Sequence, residues 1–290
     1  MPVRDILLAL LVPCLWGFGF VIAKPAMEQF PPILLNGLRW SFTGLLMFWF
    51  FPFPKKVFKQ LLIVSFIGCT IQYSLTYSGL NLIDATSATL FIQAEIPFGI
   101  LIAFFLLGER PSFKNIIGLI IAFIGIVILT GSPNLEGKIL GVIMLLLGAL
   151  FWSFAQVLAK PISKEIGGLT LTAWLGVFAG PQCIVASFIF EGNPINYISN
   201  ADLKAWMIVI YLALAMNVLG YSIWYHVLSK HPVNYIMPVL LLFPVTGLLT
   251  AIFVLGESPN TFSYIGGFII ICGVAIILFN KNKKNINEFN

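Results

Sequence analysis

Residues 16–25 read WGFGFVIAKP, and residues 152–161 read WSFAQVLAKP. At an offset of 136, Trp16, Phe18, Val21, Ala23, Lys24 and Pro25 match Trp152, Phe154, Val157, Ala159, Lys160 and Pro161. Further along, LGERP at 107–111 answers LGESP at 255–259. The offset there is 148, and it also aligns Gly118 with Gly266 and Gly125 with Gly273. Repetition at long period decides the fold before any local signal does, and here it means two copies of one unit. The offsets differ by 12, so the second copy carries a net insertion, for which the stretch around Glu191–Lys204 is the natural place.

Composition says what the unit is made of. The 290 residues are 59% hydrophobic and only 9% charged, with a mean hydropathy of +1.00. A water-soluble domain carries roughly 25% charged residues, so this chain belongs in a bilayer. About 20 apolar residues in helix cross one. Apolar runs give ten candidate spans at 5–23, 32–52, 58–80, 84–106, 113–131, 138–158, 169–190, 205–227, 233–255 and 261–280. The first run is too long for a signal peptide and has no clean cleavage site, so it is expected as a retained helix. The fold class is an all-α membrane protein of two five-helix repeats, 1–133 and 134–280, followed by a polar tail, 281–290.

Charge sets the orientation. With the N-terminus inside, cytoplasmic segments hold Arg4, Lys55, Lys56, Lys59, Arg110, Lys114, Lys160, Lys164, Lys230, Lys281, Lys283 and Lys284, twelve in all. The other side holds three, Lys24, Lys138 and Lys204. That bias places both termini in the cytoplasm. Five is odd, so the second copy enters from the opposite side. Inverted repeats of this kind are typical of secondary transporters, whose substrate binds near the midplane between the halves.

The net charge of +5 sits in short loops, where topology accounts for it, and carries no nucleic-acid signal. Cys14, Cys69, Cys183 and Cys272 fall singly in apolar runs and read as small apolar side chains. No metal-ligand cluster, Walker loop, HExxH or nucleophile elbow occurs, so no cofactor and no enzyme activity are expected.

Ionisable groups inside a bilayer are costly and mark function. Arg39 in span two and Glu95 near the centre of span four are the two that lie well within spans. They are expected to face each other across a cavity. Arg39 would take a substrate carboxylate or hold Glu95 ionised. Glu95 would take an amine or carry a coupling proton. Either residue can instead be structural. Trp16, Trp152, Tyr77, Trp174, Tyr221 and Trp224 offer ring faces for a cation. Gln72, Gln93, Gln156 and Asn217 offer amides that bond both ends of an amino acid. Helix packing is the competing role for each. Gln93 and Glu95 do not share a helical face, so both need not line a cavity. Pro97 and Pro244, mid-span in helices four and nine, are candidate hinges. Gly118/Gly125 and Gly266/Gly273 read as close-packing positions. Glu109 and Glu257 close spans four and nine and read as structural.

The sequence resembles the EamA family of drug/metabolite transporters over nearly its whole length. The resemblance rests on the WGxxF start of the first half and its WSFAQ counterpart, on PPILLNGLRW at 31–40 and on the GE pairs at 108–109 and 256–257. IQAEIPF at 92–98 and GYSIWYHVLSKH at 220–231 resemble, more narrowly, the bacterial O-acetylserine/cysteine exporters of that family. The resemblance implies ten helices in the inner membrane of a bacterium and export of amino acids or related metabolites, driven by an ion or proton gradient. A homodimer is left open. That exporter pattern carries an uncharged amide at the position of Glu95. The carboxylate departs from it and leaves substrate and coupling open. Import, or a sugar, nucleotide-linked or drug-like substrate, is the nearest alternative. A lipid flippase or a membrane scaffold is the alternative of another class.

Overall fold

The structure is a computed structural model, and it describes residues 2–83, 85–130, 136–255 and 261–279. Glu257, most of the LGESP motif and the tail lie outside the described residues. Among those described, all regular structure is helical.

Eight helices are long and apolar enough to cross a bilayer. They are α1 (Val3–Ala26), α2 (Pro32–Phe50), α3 (Lys55–Leu82), α4 (Ser87–Leu107), α6 (Ile139–Ile166), α7 (Gly168–Phe190), α8 (Leu203–Lys230) and α9 (Val233–Thr250). Two further apolar helices are α5 (Phe113–Thr130) and α10 (Thr261–Leu278). Local chemistry explains their ends. Pro32 opens α2 at the first helical position, where a missing N–H costs nothing. Gly108 ends α4 at φ 68°, a left-handed conformation that glycine adopts without penalty. Gly167, at φ 81°, is the single-residue turn between α6 and α7. Asp202 caps α8, its Oδ1 accepting from Ala205 N at 2.8 Å. That backbone donor holds its carboxyl below the usual range. One expected end fails. The sequence stops the sixth span at 158, yet α6 continues through Lys160 and Pro161 to Ile166. Lys160 pairs there with Glu109, so the charge no longer ends the helix.

The helices pack as two related sets. α2 lies against α7, and α5 against α10. α3 packs on α6 as α1 packs on α8, and α4 on α6 as α9 packs on α1. Exchanging helices one to five with six to ten reproduces these contacts, and twin helices run antiparallel. Glycines make the seams close. A Cβ on Gly118 would sit 2.7 Å from the Gly273 carbonyl oxygen, and one on Gly125 would sit 2.8 Å from that of Gly266. In the other seam, a Cβ on Gly44 would lie 2.7 Å from the Gly176 backbone. Small residues of this kind let helices associate in lipid, where no hydrophobic force joins them.

The irregularities are also paired. α3 widens to a π-helix at Phe66–Ile71, and α8 does so at Leu212–Tyr221. α4 breaks between Ile92 and Glu95, and α9 tightens to a 3₁₀ stretch at Met237–Leu242. Each break immediately precedes the first turn that holds Pro97 or Pro244. The prolines therefore start half-helices and do not kink continuous ones.

Candidate substrate site between the halves

Widened turns release backbone carbonyls, and side chains take them up. Trp16 Nε1 donates to Met216 O at 3.0 Å. Asn36 Nδ2 donates to Cys69 O at 2.8 Å. Thr43 Oγ1 donates to Ala213 O at 3.3 Å. Side chains thereby take up carbonyls in both π segments. They also fix where the next residues point. In both copies those residues read YSxxY, as YSLTY at 73–77 and YSIWY at 221–225. The offset is again 148. The hydroxyls of the twin residues Tyr73 and Tyr221 meet at 2.7 Å. The twin indoles Trp16 and Trp152 meet edge to face, with centroids 6.2 Å apart. Both pairs therefore straddle the axis relating the halves.

Beside them lies a small cavity of about 40 Å³. Trp16, Gln72, Tyr77, Glu95 and Trp152, expected from the sequence, line it together with Phe20, Tyr73, Thr76, Ile92, Met216 and Phe243. Glu95 is the one charged residue in this wall. A water needs about 10–15 Å³ of such space and a drug-sized ligand about 300–1,000 Å³, so the conformation is contracted. Gln72 Nε2 donates to Thr76 Oγ1 at 3.0 Å. Ser153 Oγ donates to the Glu95 backbone carbonyl at 2.6 Å, which ties the start of the α4 half-helix to α6.

Arg39 sits one tyrosine layer behind this wall and is fully buried. Its guanidinium lies 4.0 Å from the Tyr73 ring centroid and 5.5 Å from that of Tyr77. Its Nη1 donates to Tyr77 Oη at 2.5 Å. The expected pairing with Glu95 is not formed. Ion pairs among the described residues are Lys160–Glu109 and His231–Asp5. Arg39 Nε and Nη2 have no hydrogen-bond partner among the described residues. Ring faces take the place of a carboxylate around the cation, and two donors are left over.

The remaining expected residues divide. Trp224 Nε1 donates to Gln156 Oε1 at 2.8 Å, so these two satisfy each other outside the cavity wall. Tyr221 accepts from Trp152 Nε1 at 3.3 Å and backs the wall. Asn217 Nδ2 donates to Thr43 Oγ1 at 3.1 Å, joining α8 to α2. Gln93 is buried in the α4 break, not in the wall, and both of its amide atoms lack a hydrogen-bond partner among the described residues. Trp174 stands apart, donating to Pro52 O at 3.0 Å and meeting Phe53 edge to face. Tyr73 was not among the expected residues, and the YSxxY repeat is the signal that would have found it.

At the end of the bundle that carries Arg4, the halves are tied together. Glu109 of α4's end pairs with Lys160 of α6, and its Oε2 accepts from Val233 N at 2.5 Å. Asp5 Oδ2 meets His231 Nε2 at 2.7 Å.

Comparison with known proteins agrees over the whole length. The profile of the EamA-like transporter family matches residues 4–131 and again 139–279. The chain is 29% identical over 288 residues to a probable amino-acid metabolite efflux pump of Escherichia coli K12, covering 96% of each. It is 28% identical over 296 residues to the protein of that description in Salmonella typhimurium, again covering 96% of each. It is 24% identical to the uncharacterized transporter YoaV of Bacillus subtilis, covering 95% of this chain and 97% of that one. One crystal structure superposes with a TM-score of 0.75 over 95% of this chain and 98% of its own, at 17% identity, a likeness of fold alone. The two matched segments each cover one of the packed halves, and the chain belongs to the EamA-like transporter family.

Proposed function

We propose that this chain is a secondary transporter exporting amino acids or closely related metabolites from a bacterial cell by alternating access. In this reading all ten helices cross the inner membrane, both termini are cytoplasmic, and the repeats are 1–133 and 134–280. The observation that carries it is Arg39, a buried cation with no carboxylate partner and two unused donor nitrogens among the described residues. It stands one layer from a cavity whose only charge is Glu95. A zwitterion complements that pair, its carboxylate drawn towards Arg39 through the tyrosine layer and its amine towards Glu95 and the indoles. Glu95 also serves as the proton-coupling residue, because a carboxyl in a small, largely apolar cavity exchanges a proton against an ammonium group. The contracted cavity is an occluded-like state, and movement at the half-helix starts near Pro97 and Pro244 enlarges it. The relatives described as amino-acid metabolite efflux pumps support the direction and the solute class.

Purified protein in proteoliposomes, offered a panel of radiolabelled amino acids with and without a pH gradient, tests this. Saturable flux of at least one amino acid, stimulated by the gradient, is expected. Flux of sugars or nucleotide-linked solutes with none of any amino acid would overturn it.

A further inference from the structure

The two seam helices α2 and α7 begin differently. At the start of α2, Ile33 N and Leu34 N donate to the two carboxylate oxygens of Glu191, at 2.7 and 2.9 Å. At the offset of 136 their twins are Leu169 and Thr170 in the first turn of α7. There Gly167 supplies no side-chain cap, and among the described residues no carboxylate takes the place of Glu191. The first N–H groups of a helix have no partner within it, and the helix dipole favours an anion there.

What stands in front of α7 is a groove of about 500 Å³. Its polar wall is Arg4, Ser222, His226 and the turn 167–170, with no acidic residue. Lys230 adds a second cation, its Nζ 2.9 Å from His226 Nε2, which accepts from it and stays neutral. The nearest acid in sequence to Arg4, Asp5, is engaged by His231. Ser222 is 94% buried against the groove, with 6% exposed. Its hydroxyl finds no hydrogen-bond partner among the described residues. The opposite wall is apolar, with Leu8, Leu219 and Ile223, and Leu169 and Leu219 are about half exposed. A soluble anion needs no such wall. A lipid carries an acyl chain that fits it.

We propose that this groove binds the phosphate of an acidic phospholipid, set on the α7 N-terminus between Arg4 and His226, with its acyl chains along Leu8 and Leu219. On the orientation proposed above, the lipid belongs to the cytoplasmic leaflet. The lipid then does for α7 what Glu191 does for α2.

Native mass spectrometry of the full-length detergent-solubilised protein tests it. The protein is titrated with dioleoylphosphatidylglycerol and, separately, with dioleoylphosphatidylcholine. Phosphatidylglycerol is expected to bind about thirtyfold more tightly, given roughly 1 kcal/mol for each of the cations Arg4 and Lys230 near an anionic headgroup. Arg4→Gln/Lys230→Gln should abolish the preference by removing the cations. Thr170→Glu should abolish it by supplying a carboxylate to the helix start. The two variants act by opposite chemistry, so one that fails to fold leaves the other. Equal binding of both lipids, or an unchanged preference in either folded variant, would overturn the proposal. So would inorganic phosphate binding as tightly as the lipid, which would mark a soluble-anion site. The readout is lipid binding, so a failure to transport amino acids leaves it standing.

Discussion

The two halves share a skeleton and differ in charge. Both have a π segment before YSxxY, a broken helix with a proline just past the break, and glycines at matching seam positions. Yet Arg39 has Leu175 at its twin position, and Glu95 has Phe243. The first half supplies the ionic groups of the site, and the second answers with Trp152, Tyr221 and Phe243. The duplicated skeleton provides two sides that can trade places. On the proposed reading, the chemistry that selects a solute lies where the duplication has been broken.

The largest expected effect tests that division. Arg39→Gln should reduce amino-acid flux about a hundredfold, as expected for loss of charge-assisted bonds from a buried group. Arg39→Lys should recover part of it. Initial uptake rates into proteoliposomes measure both, and flux surviving in the glutamine variant would place selectivity elsewhere. Next is Glu95→Gln. It should abolish accumulation driven by a pH gradient while leaving a weakened solute exchange at equal concentrations, since exchange requires no proton movement and the amide oxygen still accepts from the substrate amine. Loss of exchange as well would make Glu95 a binding group and not a coupling one. A smaller effect is expected at the Arg4 end. Glu109→Gln keeps the cap on Val233 and loses the ion pair with Lys160. Labelling of a cysteine placed at Ser163, in a chain with its native cysteines replaced, should quicken by roughly threefold, the scale of a partly exposed ion pair. The smallest effect compares twins directly. Gly118→Ala and Gly266→Ala each push a methyl to within 2.7 Å of the facing backbone. Each should cost about 1–3 kcal/mol by overpacking, read as equal drops in melting temperature. Unequal drops would mean that the seam is not symmetric in energy.

Much of this frame was legible in the sequence. The WGFGFVIAKP pair and the glycine offsets located two copies, because close packing and helix starts depend on residues that cannot be freely exchanged. The insertion is bracketed more tightly by the structure. Gly44 and Gly180 still keep the offset of 136, and YSxxY already has 148. The short helix Pro194–Asn200 and the longer π segment lie between them. Other features were hidden for physical reasons. Arg39 and Glu95 sit on different helices, and nothing in a chain of residues reveals that tyrosine faces replace the carboxylate. Trp174 has the right side chain for a site but faces Pro52, because residue type does not give the face of a helix that is apolar all round. Tyr73 was concealed among aromatic residues that packing alone would justify. α6 overran its expected end because the partner of Lys160 lies 51 positions away.

The glycine seams have one more consequence. Each joins a helix to its own twin, so the contact is isologous, as in a two-fold dimer. In a pair of separate, identical chains every substitution would appear twice across such a seam, once on each partner. Fusion into one chain removes that constraint. A cation at position 39 could then be introduced without a second one at position 175, and the bilayer had only one buried guanidinium to tolerate.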